Sequence, residues 1–145
     1  MNGLWIKTGY NNVYYSSARS MARFGLLLLN KGKWDQTSIL SDTTYFNSQV
    51  NTSQNLNLSY GYLTWLNGKA SYRLPSLQVV FPGMMTPNAP VDMYAALGKN
   101  DQKIYGVPSQ HLVVICMGEA SGNAQLAFSS FDNELWGKLK NVIGY

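Results

Sequence analysis

The chain has 145 residues, of which 46% are apolar, 13% aromatic and only 12% charged; this supports one domain with its own core and excludes the charge-rich, aromatic-poor composition of disordered chains. The net charge of +4 comes from 11 basic and 7 acidic side chains, and the basic ones are scattered from Lys7 to Lys140 rather than gathered on one stripe, which argues against a nucleic-acid partner. The apolar run 26–29 is far shorter than the roughly 20 residues that span a bilayer, and the segment 1–10 lacks the charged, apolar and cleavage regions of a signal peptide, so the expectation is a cytoplasmic product with no membrane partner.

Taken in chain order, the first strong signal is helical. Ser16 and Ser17 are good N-caps, and Ala18, Met21, Ala22, Gly25, Leu26 and Leu29 recur at helical spacing before Asn30 and Gly32 supply a stop. A second helix is predicted from Ser41 or Asp42 to about Val50, with Leu40 and Tyr45 turned inward.

From 58 to 66 the composition becomes aromatic and strand-like, and Asn67-Gly68 predicts a hairpin turn into a second strand over 69–73. Four of the five prolines fall in 74–90, which predicts a long connection. Three strands follow over 92–98, 102–107 and 111–118. Their short gaps carry Gly98, Asn100, Asp101, Pro108 and Ser109 and favour antiparallel hairpins. Ser129 caps a final helix in which Phe131, Leu135, Leu139 and Val142 recur, closed by Gly144. The predicted fold is therefore α+β in a single domain, 1–145. A helical region over residues 1–56 precedes a region over residues 57–145, in which an antiparallel meander of three to five strands carries a C-terminal helix packed upon it.

No residue pattern announces catalysis. No serine has a lysine three positions on, no G-x-S-x-G elbow accompanies the single histidine, His111, and the seven carboxylates show neither metal-ligand nor glycosidase spacing. His111 reads as an exposed residue at a strand start. Cys116, the single cysteine, lies in an apolar run and reads as a small buried hydrophobe. No cofactor and no metal ion is expected. The aromatics Tyr60, Tyr62, Trp65, Tyr72, Tyr94 and Tyr105 read as core before they read as pocket lining.

Three blocks carry a resemblance: NNVYYSSARSMARFGLLLLNKGKW over 11–34, SYGYLTWLNGKASY over 59–72 and MYAALGKNDQKIYGVPSQHLVVICMGE over 93–119. In that order they resemble the C-terminal region of the β-lactamase-related serine hydrolases, the family of class C β-lactamases, penicillin-binding proteins and related esterases and amide hydrolases. The resemblance implies a partial β-lactamase-like fold whose strand meander walls a cleft. The family's chemistry uses a serine activated by a lysine one helical turn later, in the Ser-x-x-Lys motif, and that motif is missing here. Lys7-Thr8-Gly9 and Tyr10-Asn11-Asn12 spell two of the family's other motifs, but in reversed order, and read as a surface loop.

On this resemblance the counterpart of the family's third motif is Ala96-Leu97-Gly98, and the N–H of Lys99 takes the place of half an oxyanion hole. A remnant binding groove is expected at Gly98, Lys99 and Gln102, with no catalytic residue. The resemblance also implies that two strands of the full sheet, which would lie beside 111–117, are absent. The expectations are a non-catalytic fragment or interaction module and a homo-oligomer paired through the edge strand that opens on His111 and ends at Met117. The alternatives are half of a split hydrolase completed by a second chain, and a small-molecule binding module that reuses the cleft wall.

Overall fold

The computed structural model describes residues 2–121 and 128–145. Its centre is a four-stranded antiparallel sheet, built from β5 (Trp65–Leu66), β8 (Tyr94–Leu97), β9 (Lys103–Val107) and β10 (Leu112–Cys116), in the order β10-β9-β8-β5. The last three strands form the expected meander. Ala95 pairs with Tyr105, which pairs with Val114, while Tyr94 pairs with Gly106 and Gly106 with Val113.

Because side chains alternate along a strand, these two rows face opposite ways and receive different helices. The row Trp65, Ala95, Tyr105 and Val114 faces α3 (Ser130–Ile143), whose Trp136 is wholly buried and meets Tyr105 edge-on at 5.5 Å between ring centres. Each large side chain buried in this layer contributes about 1.5–3 kcal/mol relative to exposure. The row through Tyr94, Gly106 and Val113 faces α1 (Ala18–Leu29) and α2 (Thr43–Gln49), and Leu28, Phe46, Leu66 and Tyr94 form a second core.

Local chemistry explains each helix. The Ser17 side chain accepts from the Ser20 N–H to start α1. At its end the Lys31 N–H bonds the Leu28 carbonyl and the Gly32 N–H bonds that of Leu27, a Schellman closure with Lys31 itself at φ 54. Asp42 caps α2 through the Tyr45 N–H at 2.9 Å. Ser129 and Asp132 form a capping box for α3, and Gly144 ends that helix at φ 76. Gly25 lets α1 sit close on the sheet, since a Cβ there would stand 2.5 Å from Cγ1 of Val113.

Several sequence expectations are corrected, among them the inward placement of Tyr45, which is 43% exposed. The N-terminal region does not begin helical: β1 (Gly3–Thr8) and β2 (Asn11–Ser16) form an antiparallel hairpin, with Gly9 at φ 61 in its two-residue turn. The strings Lys7-Thr8-Gly9 and Tyr10-Asn11-Asn12 lie across that turn. A second hairpin, β3 (Lys33–Trp34) with β4 (Thr37–Ser38), follows α1.

Asn67-Gly68 is not a hairpin turn. Trp65 and Leu66 pair with β8, while β6 (Ser71–Tyr72) pairs with β7 (Phe81–Pro82) inside the proline-rich connection. The cause is the Asn67 side chain, which donates to the carbonyls of Thr86, Ala89 and Pro90 and accepts from the Thr86 N–H, so it fastens the long connection instead of closing a turn. Most of the aromatics named above are packed as core: Tyr60 on Trp65 at 4.9 Å, Tyr72 on Phe81 at 5.2 Å, Tyr105 on Trp136. Tyr62 is the exception, exposed against Tyr45. No helix among the described residues is long and apolar enough to cross a membrane.

Candidate functional site

The loop between β8 and β9 is shaped by two residues in left-handed backbone, Asn100 at φ 57 and Asp101 at φ 55. Asn and Asp tolerate that region better than other residues with a Cβ. The Gly98 N–H donates to the Gln102 carbonyl at 2.8 Å, and a Cβ on Gly98 would stand 3.1 Å from that same oxygen. Gly98, Lys99 and Gln102, the three expected binding residues, line one cleft of about 720 Å³, together with Ala96 and Ile104 of the sheet, Tyr14 of β2 and Met21 of α1.

Their roles in that cleft differ. The Gln102 amide donates to the carbonyls of Asn100 and Gly118, both at 2.7 Å, and accepts from the Gly118 N–H at 3.2 Å. It clamps the loop to the end of β10 and has little capacity left for a ligand. Lys99 is exposed at the rim. Ala96 offers only a methyl group to the cleft wall.

Behind the loop, on the opposite face of the sheet, lies a buried ionic cluster that the sequence does not announce. Lys103 Nζ stands 2.9 Å from Asp101 Oδ1 and 2.5 Å from Asp132 Oδ2, with all three side chains no more than 2% exposed. Tyr105 donates to Asp132 Oδ1 at 2.6 Å, and Asp101 also accepts from the Ser129 hydroxyl and from both the N–H and hydroxyl of Ser121. Burial acts to raise the Asp101 pKa, but the hydrogen bonds from Lys103, Ser121 and Ser129 outweigh it and hold the carboxyl at about 2. The Tyr105 phenol is pushed up, first by burial and then by the Asp132 charge.

Lys103 also lies 3.5 Å from the Ser129 hydroxyl, the one place where a lysine and a serine hydroxyl bond among the described residues. The pair is not a nucleophile and its base. The ammonium is held by two carboxylates, while the Ser129 hydroxyl donates to Asp101 and its N–H to Asp132. A trace of this cluster is legible in the sequence: Lys103 shares the inward parity of Tyr105 and Val107, and a lysine at such a position implies a buried counter-charge.

The remaining chemistry-bearing residues are dispersed. His111 is exposed at φ 48, just before β10. Cys116 is half-buried rather than buried, and burial raises its thiol pKa. Among the described residues no group of three or more His, Cys, Asp or Glu side chains could hold a metal ion. Compared with known proteins, the chain matches no family model, and no curated protein and no solved structure is significantly similar to it.

Proposed function

We propose that this chain is a non-catalytic interaction module, related to the serine β-lactamase-like hydrolases through the meander and α1 but without their nucleophile, and that two copies associate through β10. The observation that carries the first half is the state of Lys103. The one lysine that bonds a serine hydroxyl among the described residues is neutralised by Asp101 and Asp132, which favours a structural role for the cluster over acyl transfer. At the cleft, a loop backbone without a nucleophile stabilises no transition state.

Association is supported by the sheet order. Among the described residues β10 is an edge, LVVIC, with no charged residue and no proline to discourage pairing. Antiparallel pairing of two such edges about a twofold axis joins two four-stranded sheets into one. Sedimentation equilibrium tests this: a dimer is expected, and a monomer persisting to millimolar concentration contradicts it.

A second reading, a hydrolase half completed by another chain, draws on the cleft. Gly98 and Lys99, which the resemblance aligns with the family's third motif and half of its oxyanion hole, line that cleft. Reporter-ester turnover that emerges only on adding such a chain supports this reading over the first. A third reading, a small-molecule module using the same wall, calls for ligand-induced stabilisation without turnover.

A further inference from the structure

Side-chain alternation gives the hairpin of β1 and β2 two faces, and apolar side chains stand in solvent on both. On one, Leu4 lies beside Tyr15 and Ile6 beside Val13, and all four are between 39 and 62% exposed. On the other, Trp5 is 66% exposed and rests on the half-buried Tyr14 at 5.0 Å between ring centres, with Lys7 beyond it toward the turn. Tyr10, in the turn, is wholly exposed. The base of the hairpin is tied to α1: the Asn2 N–H donates to the Ser20 hydroxyl oxygen at 3.2 Å, and the Ser16 hydroxyl donates to the Asn2 carbonyl at 2.6 Å. A two-stranded hairpin is marginal in water unless an apolar face is covered, and β1 is exposed along its whole length.

Charge distinguishes the same part of the chain. Basic residues are spread from end to end, but acidic ones are not: none precedes Asp35. Residues 1–34 hold five basic and no acidic side chains, against six and seven in the remainder. Lys7 lies on the hairpin, and Arg19 and Arg23 lie one helical turn apart on the exposed side of α1, into which β2 leads. None of the three forms an ion pair among the described residues. Exposed Leu, Ile, Trp and Tyr beside uncompensated cations match the headgroup level of an acidic bilayer, where aromatic rings partition and basic groups are attracted. An acidic protein would also satisfy the cations. Apolar side chains on both faces of a narrow ribbon, however, suit a fluid medium that surrounds it better than one rigid partner surface.

We propose that the β1–β2 hairpin docks this protein on the surface of an anionic phospholipid bilayer. Leu4, Ile6 and Trp5 enter the interface, and Lys7, Arg19 and Arg23 meet the acidic headgroups. The expectation of no membrane partner rests on the lack of a spanning segment, and a contact at the bilayer surface requires none. The contact depends neither on the family resemblance nor on pairing through β10.

The test is co-sedimentation of the full chain with vesicles of phosphatidylcholine alone and of phosphatidylcholine mixed with phosphatidylserine. Binding to the mixed vesicles is expected, weakened by salt, with fluorescence quenching by acyl-brominated lipid that Trp5→Phe lessens. Lys7→Gln weakens binding about fivefold, as loss of one basic group near an anionic surface does, and Leu4→Ser weakens it about tenfold. Lys138→Gln, on α3 across the sheet, leaves it unchanged; all three positions are exposed, so the fold is retained. The proposal is overturned by absence of binding to the mixed vesicles, by equal binding to phosphatidylcholine alone, by unchanged binding in either Leu4→Ser or Lys7→Gln, or by an equal loss in Lys138→Gln. Equal binding to soluble polyglutamate likewise overturns it and assigns the hairpin to an acidic protein, and a dimer that Leu4→Ser dissociates, without vesicle binding, overturns it in favour of a second copy.

Discussion

Lys103 of β9 and Asp132 in the first turn of α3 join the sheet to the C-terminal helix through a 2.5 Å contact between Nζ and Oδ2 that solvent does not reach. Asp132 does two further things at once. It accepts from the Ser129 N–H as half of the capping box and from the Tyr105 hydroxyl. One carboxylate thus fixes where α3 starts, how it sits on the sheet and where the buried ammonium is neutralised.

Breaking that arrangement on one side is therefore costly. Lys103→Met leaves Asp101 and Asp132 facing each other with no cation between them, and is expected to lower stability by about 3–5 kcal/mol, the usual cost of stranding a buried charge. Urea unfolding followed by tryptophan fluorescence reads this. A loss below about 1 kcal/mol, typical of exposed pairs, contradicts it.

Acid should reveal the same cluster. The Asp101 carboxyl titrates at about 2 in the folded chain against 3.8 for the free group. Its contribution is fully present above pH 4 and is lost as the pH falls through about 2, because below that value folded and unfolded states bind the proton equally. After allowance for screening it amounts to about 1–2 kcal/mol. In unfolding free energies measured from pH 5 to pH 2, Asp101→Asn should flatten the downward slope. An unchanged slope assigns the acid sensitivity elsewhere.

The close approach of Tyr94 to β9 makes a separate prediction. Its ring lies over Gly106, where a Cβ would stand 2.5 Å from ring carbons. Gly106→Ala must displace the ring from the second core and is expected to cost about 1–3 kcal/mol, the range for overpacking. Neutral or stabilising behaviour in thermal unfolding means that the ring is not held there.

One substitution is expected to stabilise. Lys31 occupies the left-handed position that ends α1, where a side chain costs about 1–2 kcal/mol relative to glycine. Lys31→Gly should therefore raise the melting temperature, and a fall shows that the lysine makes a compensating contact.

The α+β class, the caps at Ser17, Asp42 and Ser129, and the meander over 92–118 are legible in the sequence, because each rests on local chemistry or on short antiparallel gaps. The hairpin over 3–16 is not, because apolar residues lie on both faces of it: Leu4, Ile6, Val13 and Tyr15 on one, Trp5 and Tyr14 on the other, so no clean alternation marks it. Asn67-Gly68 misleads because a side chain that bonds a segment about twenty residues away looks, locally, the same as a turn residue. At the cleft, Gly98, Lys99 and Gln102 do come together. Of the Lys103 cluster only the inward parity of the lysine is legible, because its bonds to Asp132 run across 27 to 29 residues, and the orphan hydroxyl of Tyr94 depends on burial alone.

The central claim, that this chain holds no activated serine, is tested most directly by the intact mass of the folded protein after exposure to a fluorophosphonate, which phosphonylates an activated serine and leaves one without a base unmodified. The account predicts an unchanged mass. A stoichiometric adduct on one serine, blocked by prior unfolding, contradicts it and identifies a nucleophile.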